Sequence, residues 1–372
     1  MALKVGLVGL PNVGKSTLFN AVSQAGAQTA NFPFCTIDPN VGVVAVPDRR
    51  LERLGELAAS AKVVPTAIEF VDIAGLVAGA SRGEGLGNQF LAHIREVDAI
   101  CHVVRCFEDP DVVHVSGSID PARDVEVIST ELVLADLDTL ERRVERTGRA
   151  AKSGDKDLVR EAEQVTALRD HLAQGEPART FTGELDPALR RELSLLTFKP
   201  VLYAANVAEH ELPGMVGAGG DSDGNEHVEL VKKIAAEEGA EVVVVSAQVE
   251  AELAELEGDE RAEYLAELGL ERSGLERLIE RAYQLLGLVT FFTAGPTESR
   301  AWTVPRGSRA PRAAREIHSD MERGFIRAEV ITFEDYDQLG SEAAARDAGR
   351  LRVEGKDYVV VDGDVMHFRF NV

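Results

Sequence analysis

Residues 9–17 have the sequence GLPNVGKST, which fits the pattern G-x-x-x-x-G-K-[ST] of a phosphate-binding loop. In such a loop, backbone N–H groups surround the phosphates, the lysine reaches the β- and γ-phosphates, and the next hydroxyl binds Mg²⁺. Lys15 and Ser16 stand at these two positions. The residues that we expect to hold a nucleotide here are Gly9, Asn12, Val13, Gly14, Lys15, Ser16 and Thr17.

An apolar run precedes this loop and a helical pattern follows it. Residues 3–8 are short and apolar enough for a buried strand, and residues 17–23 read as the opening of a helix. A strand, a glycine-rich loop and a helix in this order are the context that a phosphate-binding loop requires. The pattern therefore predicts an α/β domain of the P-loop NTPase type with a mostly parallel sheet.

Two further segments carry groups suited to a metal ion and a γ-phosphate. A proline-containing loop after the first helix includes Thr36, which we expect to sense the γ-phosphate and Mg²⁺. Residues 67–73 read as a strand that ends at Asp72 and leads to Gly75, a D-x-x-G pattern. Asp72 can hold the Mg²⁺ hydration shell, and Gly75 can present its N–H to the γ-phosphate. The predicted metal-binding residues are therefore Ser16, Thr36 and Asp72.

The next residue, Leu76, stands where many GTPases have a glutamine that orients the attacking water. A leucine side chain cannot orient water, so hydrolysis requires another group or a partner. His114 follows a strand predicted over residues 99–105 and is the candidate for assisting water attack, together with Lys15 as the other catalytic residue. A surface or packing role is the more common one for such a histidine.

Alternation of strands and helices resumes after residue 199. Residues 200–205 read as a strand that ends at Asn206, and residues 240–245 as another that ends at Ser246. Ligands of open α/β sheets bind at the carboxyl ends of the strands. The residues that we expect beside the base are Asn206, Val207, Glu209, Ser246 and Ala247.

The sequence N-V-A-E at residues 206–209 bears on the identity of the base. GTPases of this class read guanine with N-K-x-D, in which the aspartate accepts hydrogen bonds from guanine N1–H and the exocyclic amine. Here Val207 replaces the lysine, and Glu209 has one more methylene than aspartate. These changes predict a preference for ATP over GTP. The alternative is that Glu209 still reaches guanine.

From about residue 128 the apolar pattern becomes that of paired helices. Val133, Leu137, Leu140 and Val144 step by four, three and four, and residues 158–172 carry a second stripe. This predicts an antiparallel helical hairpin, or coiled coil, inserted in the nucleotide domain. An ordinary helical pair packed on the core is the alternative.

The segment after residue 287 differs again. Residues 288–293 read as a strand, residues 309–323 as a helix, and residues 358–370 as two strands about an Asp-Gly turn. We predict three domains: 1–127 with 199–287 for nucleotide binding, 128–198 for the helical insert, and 288–372 for an α+β tail.

Composition limits the partners and the compartment. A net charge of −23 opposes general attraction to nucleic acid, so contact with RNA requires a local basic face. Arg306, Arg309, Arg312 and Arg315 are one candidate, and a solvated face is an equally common reading. The sequence has no apolar run of about 18 residues, and its cysteines have no metal-binding spacing. We expect a cytoplasmic protein without a signal peptide or a membrane partner, in which Cys35 is a candidate redox-sensitive thiol or an ordinary half-buried side chain.

These motifs together resemble one family. Residues 9–17, NFPFCTI at 31–37 and DIAGLVAGA at 72–80 look like the Obg-related P-loop proteins. The helical insert, N-V-A-E at 206–209 and the tail narrow the resemblance to the YchF, or Obg-like ATPase, branch, and it covers nearly the whole chain. The resemblance implies a cytosolic ATPase that associates with ribosomes, and a TGS-like β-grasp tail that can contact RNA.

The predicted function is a nucleotide-dependent switch that slowly hydrolyses ATP to ADP and phosphate with Mg²⁺. By analogy with P-loop proteins that potassium stimulates, Asn12 can bind K⁺ near the phosphates. Two alternatives remain open: a GTPase of the Obg type, and a ribosome or RNA adaptor for which nucleotide is only a stabilising ligand. The oligomeric state is open, and a monomer is favoured.

Overall fold

The structure is a computed structural model that describes residues 3–28, 39–74, 86–110, 112, 114, 117–212 and 224–371. Packing divides the chain into two compact units. The first unit contains Met1–Val44 and Glu69–Ala282, and the second contains Ala45–Ile68 and Tyr283–Val372. No helix in the described residues is long and apolar enough to cross a membrane.

The described elements are numbered in chain order. The strands are β1 (Lys4–Val8), β2 (Val41–Ala45), β3 (Val63–Val64), β4 (Ala67–Asp72), β5 (Ala99–Arg105), β6 (Val201–Asn206), β7 (Glu241–Val245), β8 (Leu288–Thr293), β9 (Ser299–Pro305), β10 (Phe325–Thr332), β11 (Arg352–Glu354) and β12 (Asp364–Phe370). The helices are α1 (Lys15–Gln28), α2 (Arg49–Leu57), α3 (Leu86–Glu96), α4 (Pro121–Ala151), α5 (Lys156–Leu172), α6 (Pro187–Leu193), α7 (Glu226–Glu238), α8 (Ala247–Glu255), α9 (Gly258–Glu267), α10 (Gly274–Leu285), α11 (Ala310–Ile317), α12 (Ser319–Arg323), α13 (Phe333–Leu339) and α14 (Glu342–Asp347). Short 3-10 turns lie at Ala178–Thr180, Leu196–Phe198 and Glu209–Glu211.

The sheet of the first unit has the strand order β2-β4-β1-β5-β6-β7, and its pairs from β4 to β7 are parallel. Every residue of β5 is buried, as expected for a central strand with both faces covered. In this register Leu7 lies beside Asp72, and Val8 lies beside His102. Parallel strands end at one edge of a sheet, so the loops after β1, β4, β6 and β7 meet there. The predicted α/β class with a mostly parallel sheet is confirmed.

α4 and α5 form the helical hairpin that the apolar stripes predict. The carboxylate of Asp155 caps α5 by accepting hydrogen bonds from the N–H groups of Asp157 and Leu158. The core of the hairpin includes Val133 and Leu140 from α4, and the partly buried Leu137 and Val144 pack against it. The other buried members are Val165, Leu168, Leu172, Ala178, Leu189, Leu193 and Leu195.

Asp136 of α4 joins the hairpin to the segment that returns to the sheet. Its carboxylate accepts hydrogen bonds from the N–H groups of Leu196 and Thr197, both at 2.8 Å, and from the Thr197 hydroxyl at 2.7 Å. Asp136 is only 2% exposed, so these donors replace water around a buried carboxylate. The 3-10 turn directly before β6 is thereby held against α4.

The sheet of the second unit has the strand order β11-β10-β12-β8-β9-β3. β12 runs parallel to β8 and antiparallel to β10. Apolar clusters cover both faces of the sheet, with Phe291 and Phe368 in one cluster and Phe292 and Ile331 in the other. The tail is therefore α+β, as predicted, while its TGS-like character stays a prediction.

Residues 45–68 are predicted in the nucleotide-binding domain, but packing places them in the second unit. Leu51 and Leu54 of α2 are buried in the same cluster as Phe292 and Ile331, and β3 pairs with β9. These elements are too short for their periodicity to reveal a partner far along the chain. Packing also leaves the helical insert in the first unit, so the three predicted domain boundaries stay a prediction.

Two predictions for the tail are wrong. Residues 358–361 form no strand. The carbonyl oxygen of Tyr358 accepts from the N–H of Ala310, the first residue of α11, and the N–H of Val360 donates to the carbonyl oxygen of Ser308, just before that helix. The helix predicted over residues 309–323 is divided into α11 and α12 at His318, whose backbone is extended with φ −161°.

His102 on β5 is 4% exposed and lies beside the ring of Tyr203. Burial, with a contribution from the positive charge of Arg179, lowers the pKa of His102 to about 3. The folded state therefore resists protonation that the unfolded chain undergoes near pH 6.5. The stability from neutral His102 is complete above pH 6.5, and it should decline as the pH falls from there toward 3, by about 1.4 kcal/mol per pH unit.

We expect His102→Gln to flatten the dependence of the unfolding free energy on pH between 6 and 4, measured by urea titration at several pH values. The matched control is His93→Gln, because His93 is exposed on α3. A wild-type slope in His102→Gln would contradict the prediction, even if the variant is less stable at pH 7.

Candidate nucleotide-binding site

The loop of residues 9–17 connects β1 to α1 through two residues with positive φ. Asn12 has φ 65° and Gly14 has φ 91°. A Cβ built at Gly14 would lie 2.2 Å from Nδ2 of Asn206, so only glycine fits at this position. Lys15 is the first residue of α1, so the N–H groups of the loop and of the helix start lie together, as phosphate binding requires.

The ammonium of Lys15 contacts the carboxylate of Asp72 at the end of β4. Lys15 is 8% exposed, and the side chain of Asp72 is 22% exposed. The parallel register places Asp72 beside Leu7, two residues before the loop. The group predicted for the γ-phosphate and the group predicted for the metal therefore lie within hydrogen-bonding distance of each other.

The described residues fit a Mg²⁺ ion. The carboxylate of Asp72 is partly exposed next to the start of α1, where Ser16 is exposed. Carboxylate and hydroxyl oxygens are the ligands that this hard cation prefers. Thr36, the third predicted ligand, and Gly75, predicted for the γ-phosphate, lie outside the described residues, as does Cys35.

Asn206, at the end of β6, joins two loops of the site. Its Nδ2 donates to the carbonyl oxygen of Val13 at 2.9 Å, and its Oδ1 accepts from the N–H of Ala247 at 2.9 Å. Asn206 is 3% exposed, and these two bonds engage both ends of its amide. Asn206 therefore positions the phosphate loop and the loop after β7.

A cavity of about 490 Å³ opens between these loops. Its described lining comes from the phosphate loop and from the loops after β5, β6 and β7. The lining residues are Asn12, Gly14, Thr17, Phe107, Glu108, Asp109, Val112, Asn206, Val207, Ala208, Ser246, Ala247, Gln248, Ala251 and Glu252.

Val207 and Ala208, which follow β6, form one wall of the cavity and offer few polar groups. The N–H of Val207 donates to the carbonyl oxygen of Val245 at 2.9 Å, and the N–H of Ala208 donates to Glu211 at 3.0 Å. Both N–H donors are thus engaged, and the carbonyl oxygen of Ala208 already accepts from the N–H of Glu211 at 3.1 Å. Among the described hydrogen bonds, this leaves the carbonyl oxygen of Val207 as the backbone acceptor that these two residues can offer a base. The buried hydroxyl of Ser246 also faces this region and has no hydrogen-bond partner among the described residues.

Glu209 does not line the described cavity. Its carboxylate accepts a hydrogen bond from the hydroxyl of Tyr264 on α9 at 3.4 Å. Glu209 begins a 3-10 turn that follows β6, and the same Tyr264 hydroxyl also donates to Glu252, which lines the cavity. The position of the Glu209 carboxylate thus differs from that of an acid that hydrogen-bonds guanine inside the cavity. The role of Glu209 itself stays a prediction.

Arg105 is a residue of the site that the sequence analysis does not identify. It is 1% exposed, and its guanidinium donates to the carbonyl oxygens of Phe107, Asp109 and Val112 at 3.1, 3.3 and 2.9 Å. It also lies 4.5 Å from the centre of the Phe107 ring. The arginine thus shapes the loop that lines the cavity. An arginine at the end of a strand that is predicted to be buried was the available signal.

His114 is buried, with 6% exposure, and its Nε2 lies 2.8 Å from the carboxylate of Asp124 in the first turn of α4. It is not among the described residues that line the cavity. The carboxylate fixes the orientation of the imidazole in this position. A part for His114 in hydrolysis stays a prediction.

Comparison with known families matches both ends of the chain. A family model described as a 50S ribosome-binding GTPase matches residues 4–138. The model YchF-GTPase_C, described as a protein of unknown function, matches residues 288–371.

Known relatives match over the full length. The chain is 57% identical to a Bacillus subtilis (strain 168) protein named ribosome-binding ATPase YchF, over 100% of both chains. It is 53% identical to the Escherichia coli O157:H7 protein of the same name, again over 100% of both. The solved structure of the Schizosaccharomyces pombe YchF GTPase matches with a TM-score of 0.87 and 36% identity, over 99% of this chain and 97% of that one.

We expect Asn206→Ala to lower the unfolding free energy by about 2–4 kcal/mol, because it leaves a buried carbonyl and a buried N–H without partners. It should also weaken nucleotide binding, since the two loops lose their connection. Urea titration and a fluorescent ATP analogue measure the two effects. Gln174→Ala is the control, because Gln174 is exposed after α5 and does not line the cavity. Wild-type stability of Asn206→Ala would show that this bridge contributes nothing.

Proposed function

Because this chain belongs to the YchF family, we propose that it is a switch that binds ATP and slowly hydrolyses it to ADP and phosphate. The curated relatives are named ribosome-binding ATPases, and the proposal includes association with the ribosome. A cytoplasmic location and a monomeric state belong to the same proposal.

The observation that carries the proposal is the contact between Lys15 and Asp72 at the start of α1. This contact brings together Lys15, the cation proposed for the γ-phosphate, and Asp72, the acid proposed for Mg²⁺. Both lie at the N-terminus of α1, where backbone N–H groups can bind phosphates. Mg²⁺, held by Ser16, Thr36 and Asp72, would neutralise phosphate charge when bound.

The residues of this chain have separate tasks in the proposed reaction. The N–H groups of the phosphate loop bind the phosphates, and Lys15 orients the γ-phosphate and offsets the charge that develops on it. Leu76 offers no group that orients water, which supports slow turnover. His114, held by Asp124, is proposed to assist water attack, and Asn12 to bind K⁺ beside the phosphates.

The backbone acceptor in the cavity wall supports the proposed preference for ATP over GTP. The carbonyl oxygen of Val207 can accept from the N6 amino group of adenine, whereas it repels the O6 oxygen that guanine has at the same ring position. Names of relatives differ on this point, because the Bacillus subtilis protein is called an ATPase and the Schizosaccharomyces pombe protein a GTPase. The choice of nucleotide is therefore the informative measurement.

An adaptor that uses nucleotide only as a stabilising ligand is the second candidate, supported by the leucine at position 76. A single-turnover measurement of ATP hydrolysis, with and without ribosomes, separates the two. An adaptor shows no hydrolysis in either condition, whereas the proposed switch hydrolyses ATP slowly and responds to the ribosome. Contact with RNA through the TGS-like tail also belongs to the proposal.

Lys15→Ala should abolish hydrolysis and weaken ATP binding by at least about tenfold, because a charge-assisted hydrogen bond contributes about 1.5–3 kcal/mol. Adenosine binding should change little, since the lysine serves the phosphates. Titration with both ligands and a single-turnover assay test this. Lys233→Ala, at an exposed position of α7, is the control. Equal weakening of ATP and adenosine binding would remove Lys15 from the phosphate site.

ATP should displace a fluorescent nucleotide analogue at a lower concentration than GTP. The double variant Val207→Lys, Glu209→Asp should raise GTP affinity by about tenfold, because a matched polar pair contributes about 1–3 kcal/mol. The single variant Glu209→Asp is its control. A wild-type protein that binds GTP tenfold more tightly than ATP contradicts the proposal. An unchanged GTP affinity in the double variant assigns the choice of base to the backbone.

A further inference from the structure

A second cavity, of about 550 Å³, lies at the amino ends of β5 and β6. Asp98, directly before β5, and Lys199 and Pro200, directly before β6, belong to its lining. The phosphate loop follows the carboxyl end of β1, which is parallel to β5. This cavity is therefore at the opposite edge of the sheet from the proposed ATP site, where the helical insert returns to the sheet.

The cavity concentrates positive charge in a strongly acidic chain. Arg95, Arg190, Arg191 and Lys199 line it, together with two carboxylates, those of Asp98 and Asp136. None of the four basic side chains has a carboxylate partner among the described ion pairs. In a chain of net charge −23, four basic groups that outnumber the acids of their cavity and form no ion pair with them mark a place suited to an outside anion.

The basic face predicted from the sequence differs in this respect. Arg309 pairs with Asp357, Arg312 with Glu316, and Arg315 with Glu322. These three arginines are already paired within the second unit, so they are less suited to an anion than the four of the cavity. The fourth member of the row, the exposed Arg306, forms no ion pair among the described residues, but it offers a single charge rather than a cluster.

The carboxylate of Asp136 forms its hydrogen bonds with Leu196 and Thr197, so it attracts Arg95 and Lys199 only through space and pairs with neither. The ammonium of Lys199 donates to the carbonyl oxygens of Arg95 and Val97, which fixes its position without neutralising it. Burial lowers the pKa of Lys199. Asp98 and Asp136 oppose this effect in part, yet burial dominates, so the desolvated ammonium still gains from an anion brought close to it.

Arg190 is held by stacking, with its guanidinium 4.5 Å from the centre of the Phe198 ring. A guanidinium stacked on an aromatic face keeps its N–H edges for a ligand, and this planar fork matches the oxygens of a phosphate. Arg191 is exposed beside it on α6. The 3-10 turn that Asp136 fixes carries Phe198, so α4, α6 and the turn together hold the basic groups in place.

We infer that this cavity binds phosphate groups of an RNA backbone. The inference rests on the proposed function, because ribosome association supplies the RNA. The overall charge of the chain repels RNA, so binding requires a local site of this kind. A free mononucleotide carries the same phosphate chemistry and is an outcome that the experiment distinguishes.

The test compares two double variants of the full chain. Arg190→Gln with Arg191→Gln removes two charges from the cavity. Arg146→Gln with Arg149→Gln is the control, because these exposed arginines of the same helical insert pair with Glu192 and Glu145. Both variants change the net charge equally. Urea titration verifies that both fold.

Binding of a fluorescein-labelled single-stranded RNA is measured by anisotropy at several KCl concentrations, with AMP and inorganic phosphate as competitors. The cavity variant should bind about tenfold more weakly, and its slope of log K against log salt should be shallower by about 1.4, from 0.7 for each of two lost phosphate contacts. The control should stay within about twofold of wild type.

Equal weakening in both variants, or no weakening in either, overturns the inference. So does a wild-type protein that binds AMP or inorganic phosphate at this cavity but not RNA. Single-turnover ATP hydrolysis, measured on the same proteins, distinguishes a failure of the RNA-binding inference from a failure of the proposed ATPase function. Loss of RNA binding with normal hydrolysis in the cavity variant supports the inference, and a wild-type protein that binds RNA here but never hydrolyses ATP contradicts only the proposed ATPase function.

Discussion

The amide of Asn206 is the interaction on which the candidate site depends. It connects the loop after β1 with the loop after β7, while its own backbone ends β6. The contact is close enough to exclude any side chain at Gly14. Asn206, which also lines the cavity, therefore holds three loops in one arrangement. Arg105 has a similar task for the loop after β5.

The sequence predicts the phosphate side of the site well and the base side less well. Lys15 and Asp72 follow from local motifs with a known spacing, and the register of a parallel sheet brings them together. The engaged N–H groups of Val207 and Ala208 depend on contacts with β7 and Glu211, which no local pattern encodes.

The same distinction applies to the fold. Long periodic stretches such as α4 and α5 reveal their packing, because each helix carries its apolar stripe in its own sequence. The assignment of residues 45–68 to the second unit depends instead on partners more than two hundred residues away. Residues 358–361 have the composition of a strand, yet their backbone partners lie next to α11.

Many arginines of the described residues pair with carboxylates of the same unit. Arg309, Arg312 and Arg315 pair with acids of the same unit, so three members of a basic row in the sequence are paired in the structure. The cations around the cavity below β5 and β6 are different, because they are held by carbonyl oxygens and an aromatic ring. The net charge does not reveal which basic side chains are paired with acids, because it depends only on the number of charged residues.

The membership of residues 45–68 in the second unit also affects how the chain is made. α2 and β3 leave the ribosome early, but the strands that cover them come from the last part of the chain. Until synthesis is nearly complete, Leu51 and Leu54 have no apolar partners from the second sheet. The second unit therefore closes late, through contacts of high sequence separation that are slow to form. A chain that ends before β8 would leave α2 as an unprotected apolar surface for as long as it exists.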